Sequence, residues 1–301
     1  MKVALCFLVN YTNSLIKEDI WKEWIEPNKD IIEVYIHYNK NVPIKSEWIK
    51  KHAIPLKNIK STSYYHVIPA YFSVLQFALI DKVNNQWFCM LTESCVPIVS
   101  PQKFRNMFFN NSTRSIFSWR KAWWNVYLHK RSNLKYFQDD MRVGHDPWFV
   151  LKRNDVYRCV SYPKLNKRIF DLVCQGGLAN ESLFAIILYQ NKKLSDVINQ
   201  PSHVVDWSNP SSATSPYVFS SGSEKEVEFI KESLHKNRYS MFLRKIGKKF
   251  PDSVINQLIE NNSSFKDDEL EKYHEEWFLN YLYFLFFIMT FLIYIFNVFE
   301  I

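Results

Sequence analysis

The stretch from Ser63 to Pro97 constrains the fold most, because it reads as a helix, a buried strand and a polar turn in immediate succession. Pro69 suits the first turn of a helix, where its missing N–H costs little. Ala70, Val74, Phe77, Ala78 and Ile80 follow at helical spacing, and Lys82-Val83-Asn84-Asn85 breaks the pattern. Trp87-Phe88-Cys89-Met90-Leu91 is then apolar without alternation, as expected of a strand covered on both faces. In open α/β sheets ligands bind outside the carboxyl ends of the strands. Thr92-Glu93-Ser94-Cys95-Val96-Pro97 is therefore placed where a site belongs.

The opening of the chain points to the same fold class. Residues 3–9 predict a first strand, Asn13 to Trp24 a helix with Asn13 or Ser14 as its cap, and Ile31 to His37 a second strand. This β-α-β order suits a parallel sheet and a nucleotide-binding half. Further along, the pattern predicts a short helix over Ser46–His52 and a short strand over Ile54–Lys60. A helix over Pro101–Phe109 precedes an irregular aromatic and basic segment to Lys135. Trp148–Leu151 reads as a strand leading into a helix through Tyr157. Asn180 reads as the N-cap of an apolar helix with Glu181 in its first turn. A strand near His203, a Ser/Pro-rich loop over Asn209–Ser223, and helices over Glu224–Asn237 and Pro251–Ile259 complete the described pattern.

Composition narrows the function classes. A chain of 301 residues, 47% of them hydrophobic, suits one large domain, or one domain plus appendages, with a sizeable core. Only five glycines argue against a Gly-rich nucleotide loop and against a turn-dense β-architecture. The formal charge of +8 suits a phosphate-bearing substrate, an anionic membrane surface or nucleic acid, and equally a Lys-rich solvated surface. Abundant Lys, Asn, Ile, Phe and Tyr fit an AT-rich genome, such as that of a large DNA virus. Cys6, Cys89, Cys95, Cys159 and Cys174 are scattered, without a Cys-x-x-Cys pair. That favours a reducing compartment and gives no zinc-ligand spacing.

Several phrases recur in a fixed order: Ile36-His37-Tyr38-Asn39-Lys40, Ala78-Leu79-Ile80-Asp81, Leu91-Thr92-Glu93-Ser94-Cys95-Val96-Pro97-Ile98, and Trp148-Phe149-Val150-Leu151-Lys152-Arg153. Asn180-Glu181-Ser182-Leu183-Phe184, Ser202-His203-Val204-Val205-Asp206-Trp207-Ser208 and Met241-Phe242-Leu243-Arg244-Lys245-Ile246 follow. With them the chain resembles the core-2/I-branching glycosyltransferase family, plant and viral relatives included, over about residues 1–250. The resemblance implies a GT-A-like α/β fold with a mostly parallel central sheet flanked by helices. It implies an inverting transfer of a sugar, N-acetylglucosamine being one candidate, from a nucleotide-diphosphate sugar to a glycan hydroxyl. Glu181 aligns with the family's general base, although a carboxylate there also complements a helix N-terminus. Arg244 and Lys245 align with the diphosphate site. His37 and Asn39 align with the nucleotide-base site, Asn39 standing where relatives have Asp. Glu93, Ser94, Trp207 and Tyr217 fall in acceptor-binding positions. Tyr71 stands where relatives carry Glu. No Asp-x-Asp triplet occurs, so basic side chains rather than a metal ion are expected to neutralise the leaving diphosphate, with no cofactor.

The chain's end reads differently. Trp277 to Phe299 carries no charged residue and is long enough to cross a hydrocarbon core as a helix. The expected organisation is a catalytic domain over 1–260, a polar stalk over 261–276 and a C-terminal transmembrane helix over 277–299. The body then stays most simply in the cytosol. Two rival readings suit the same residues: a membrane-anchored glycan- or partner-binding protein without turnover, and a nucleic-acid binder, which rests on charge alone.

Overall fold

The computed structural model describes residues 1–9, 11–109, 114–212 and 214–262. The expected membrane span, and the stalk beyond Asn262, lie outside the described residues. Among the described residues no helix is long and apolar enough to cross a membrane.

The elements run β1 (Lys2–Leu8), α1 (Glu18–Ile25), β2 (Ile32–His37), α2 (Glu47–His52), α3 (Ile68–Asp81), β3 (Asn85–Thr92), β4 (Val96–Pro97), α4 (Pro101–Phe109) and β5 (Trp119–Lys121). They continue with β6 (Val143–His145), β7 (Val150–Lys152), α5 (Arg153–Leu165), α6 (Lys167–Gln175), α7 (Leu183–Gln190), β8 (His203–Val205), α8 (Glu224–Lys236), β9 (Phe242–Arg244) and α9 (Asp252–Asn261). The central sheet has the order β2-β1-β3-β7. β1 pairs parallel with β2 and with β3, and β7 runs antiparallel on the outer edge of β3. This is the parallel arrangement that the β-α-β opening suits, and the mostly parallel, helix-flanked sheet that the resemblance implies. A small sheet, β4-β9-β8, and the β5-β6 hairpin complete the strands.

Both faces of the central sheet are covered, which is why β1 and β3 show no alternation. On one face α3, α5 and α7 pack through Val74, Leu75, Phe149, Val156 and Phe184. α7 is apolar all round because Leu183 to Leu188 are all buried. On the other face α1 and α4 pack Trp21, Trp24, Phe104 and Phe108 around Phe7 and Phe242. Both indoles also find acceptors, Trp21 Nε1 donating to Cys95 O at 3.0 Å and Trp24 Nε1 to Val99 O at 2.7 Å. A third cluster joins the β4-β9-β8 sheet to α8 and α9. Arg153 donates to the carbonyls of Leu79 (2.9 Å) and Asn85 (3.1 Å), so it caps the end of α3 and locks it to the edge of the sheet.

Four local expectations are corrected. Asn13 is not a helix cap: it is buried with φ 47°, and its side chain holds the carbonyls of Asn39 (2.8 Å) and Val42 (2.7 Å) while accepting from Asn39 N (2.8 Å). α1 accordingly starts later, at Glu18. Ile54–Lys60 is no strand: one bridge joins Ala53 to Ile36, and Leu56–Asn58 then turns as a 3-10 helix. Ile80 does not share the buried face of α3; it is 70% exposed, and Leu79 is buried instead. Asn180 does not cap α7. It lies in a 3-10 turn, Ala179–Glu181, entered through Leu178 at φ 58°, and α7 begins at Leu183.

Candidate active site

A cleft of about 310 Å3 opens at the carboxyl ends of β1, β2 and β3. Because β2 and β3 flank β1 on opposite sides, the chain reverses its winding direction here, which parts the loops and leaves a crevice. Val9 follows β1, Tyr38 and Asn39 follow β2, and Thr92 and Glu93 border it from β3. Of the residues singled out in the sequence, His37, Asn39, Glu93, Glu181, Trp207, Arg244 and Lys245 all line it.

One wall carries the cations. β9 pairs with β4, Val96 facing Leu243, which sets Arg244 beside the turn after β3. The Arg244 guanidinium donates to Thr92 Oγ1 and, at 2.6 Å, to Ser94 Oγ. It lies 4.4 Å from the centroid of the Trp148 ring. Lys245 Nζ donates to Ser215 Oγ at 3.3 Å. Among the described residues no carboxylate pairs with either cation. The positive charge of this wall is held in place by hydroxyls and a ring, not neutralised.

The facing wall carries Glu181. Its Oε2 accepts from Arg131 Nη2, and the Arg131 guanidinium lies 4.5 Å from the centroid of the Trp124 ring. Burial pushes the Glu181 carboxyl above the usual carboxylate range; Arg131 pulls it down in part, and the nearby Asp146 adds to the rise. Asp146 itself is shifted up by burial. Tyr71 stands between the walls, close enough to feel both Arg244 and Glu181, and its hydroxyl donates to Pro147 O at 3.0 Å.

At the third corner His37 Nε2 accepts from Lys60 N at 3.2 Å, and burial lowers the imidazole to about 4. The ring is neutral at neutral pH, with its proton on Nδ1. Asn39 is fixed by Asn13, and its own Oδ1 accepts from Asn41 N at 3.0 Å. Over the mouth, the Tyr64 and Thr214 hydroxyls meet at 3.0 Å, and Trp207 is 47% exposed. Among the described residues no three His, Cys, Asp or Glu side chains come together as a metal-holding group. An arrangement of this kind can take a proton at one wall and receive negative charge at the other.

Residues 4–232 match the family model described as Branch: Core-2/I-Branching enzyme. The chain belongs to the core-2/I-branching enzyme family. No curated protein matches it. The family is one of glycosyltransferases, so the protein is an enzyme whose substrates are a nucleotide-sugar donor and a glycan acceptor. The match spans the central sheet, the polar turn and Glu181. It ends within α8, so Arg244, at the end of β9, and Lys245, just after it, are brought to the cleft by residues beyond the match.

Two expected acceptor residues lie elsewhere. Ser94 is 1% exposed and supports Arg244 from beneath the cleft. Tyr217 points to Glu226, donating to its Oε1 at 2.8 Å, because this buried carboxylate gathers the loop before α8 by accepting also from Ser220 N, Ser221 N and Gly222 N. Sequence reading also passed over Arg131, Thr92 and Trp148 as partners of the charged groups. Arg131 is 50 residues from Glu181 and Thr92 is 152 from Arg244, so no local spacing signals either contact.

Proposed function

We propose that the protein is an inverting, metal-independent N-acetylglucosaminyltransferase of the membrane-anchored kind, acting on a glycan hydroxyl. The observation that carries this reading is the shared cleft: Glu181 on one wall, Arg244 and Lys245 on the other, at the carboxyl ends of parallel strands. Glu181 takes the proton of the acceptor hydroxyl. The oxygen attacks the anomeric carbon from the face opposite the diphosphate, and the bond from that carbon to the phosphate oxygen breaks. Its electron pair leaves on the diphosphate, where Arg244 and Lys245 stabilise the developing charge. His37 and Asn39 hold the base, and Glu93 and Trp207 border the acceptor. Metal independence is supported by two cations without carboxylate partners among the described residues, and by the lack of an Asp-x-Asp triplet. The apolar run over 277–299 supports the anchor, with the body in the cytosol.

The test is a donor screen that measures release of free nucleotide diphosphate, with UDP-N-acetylglucosamine expected to be the best donor and a chelator expected to leave the rate unchanged. Glu181→Gln is expected to lower turnover by about 10²–10⁴-fold, the usual span for a general base. A folded Glu181→Gln variant with wild-type turnover removes Glu181 from this role.

A further inference from the structure

The loop between β5 and β6 and the turn before α7 are zipped together beside the cleft. Arg131 bridges to Gly177, and Ser132 N donates to Gly177 O at 2.9 Å. Two glycines allow the approach. A Cβ at Gly176 would lie 2.5 Å from Asn133 N and 2.7 Å from Lys130 O; one at Gly144 would lie 2.6 Å from the Trp123 ring and 3.1 Å from that of Trp124. The first contact brings the backbone of 130–133 against the turn that carries Glu181. The second lets Trp124 settle where the Arg131 guanidinium stacks on it.

From this geometry we infer that Arg131 is the positioning residue of Glu181: clamped by Trp124, it holds Oε2 and leaves Oε1 to meet the acceptor hydroxyl. The inference rests on Glu181 being the proton acceptor. Both side chains are mostly buried, Arg131 at 22% and Glu181 at 14% exposed, so water does not screen the pair as it would at a surface. Arg131 meets the carboxylate through Nη2 alone, its buried Nε having no partner, and its face lies on the Trp124 ring. Among the described residues Oε1 accepts no hydrogen bond. A carboxylate gripped by one oxygen cannot rotate away, and a misplacement of about 1 Å can cost roughly 10²-fold in rate.

Arg131 also offsets part of the rise that burial imposes on the Glu181 carboxyl. The groups that act on Glu181 are Arg131, Asp146 beyond β6 and Tyr71 on α3; Arg120 faces Asp146. Without the guanidinium, Glu181 would keep its burial and its neighbour Asp146 but lose the one cation recorded as lowering it, which favours the protonated, inactive form.

The experiment compares Arg131→Met, Arg131→Lys and Trp124→Leu with wild type. It reads UDP release from UDP-N-acetylglucosamine with water as acceptor, across pH, and UDP affinity by calorimetry. Arg131→Met is expected to lose about 10²-fold in kcat, to keep UDP affinity within about twofold of wild type because the cationic wall is untouched, and to move the acid limb of the pH profile to higher pH. Arg131→Lys is expected to restore part of both, whereas an interaction needed only for folding would not move the limb. If Arg131→Met no longer binds UDP, Trp124→Leu takes its place; it keeps the charge, and a loss of about tenfold in kcat is expected from the loosened clamp. Unchanged kcat with an unchanged acid limb in folded Arg131→Met, or unchanged kcat in Trp124→Leu, overturns the inference. Glu181→Gln run alongside separates the two readings. If it keeps turnover, the base assignment fails; if it is inactive while Arg131→Met is normal, only the role of Arg131 fails.

Discussion

Arg244 and Glu181 carry opposite charges in one cleft, yet Arg244 meets hydroxyls and a ring while Glu181 meets a guanidinium. The difference is one of what each wall has to receive. A cation positioned by neutral groups keeps its charge for an anion that arrives from outside, and gives it up again when that anion leaves. A carboxylate buried without help would take up a proton and lose its use as a base; one paired with a cation stays ionised, while its burial keeps it more basic than a surface carboxylate. Thr92, Ser94 and Trp148 thus serve the first wall as Arg131 and Trp124 serve the second.

Glu181→Gln strikes the second wall and is expected to cost about 10²–10⁴-fold in turnover, with UDP affinity retained. Arg244→Ala strikes the first; losing the proposed charged hydrogen-bond partner of the diphosphate, worth about 1.5–3 kcal/mol, is expected to weaken UDP binding by roughly 10–100-fold by calorimetry. Ser94→Ala leaves the cation but loosens it, and a neutral partner worth about 1 kcal/mol predicts a loss of about fivefold. The pH profile separates the walls without mutation. Turnover is expected to fall as pH drops through the raised Glu181 range, while His37, depressed to about 4, stays neutral there and leaves base binding unchanged. Tyr217→Phe, which breaks a contact to Glu226 away from the cleft, is expected to leave turnover intact and to lower stability by about 1.5 kcal/mol, the low end for a hydrogen bond to a charged group, because Glu226 keeps its backbone donors.

The walls also differ in how far the sequence discloses them. The strands and the turn after β3 were legible because burial on both faces leaves an unbroken apolar run, and because Pro69 and the polar break at Lys82–Asn85 mark the ends of α3. The charged residues were legible through family phrases that place Glu181 and Arg244 in order. What held them was not. Asn13 looks like a helix cap until its partners at Asn39 and Val42 are known, and Ser94 looks like a cleft residue until Arg244 is seen to rest on it. Ile54–Lys60 has apolar ends suited to a strand, but after Ala53 it leaves the edge of β2 and turns. In each case a contact between distant segments overrides a local preference, and spacing along the chain carries no trace of it.

A division of labour between an open cationic wall and a preset carboxylate can be read from calorimetric titration of UDP into wild type, Glu181→Gln and Arg244→Ala. The predicted result is wild-type affinity in Glu181→Gln, which no longer turns over, and a loss of roughly 10–100-fold in Arg244→Ala. Equal UDP affinity in wild type and folded Arg244→Ala would contradict it.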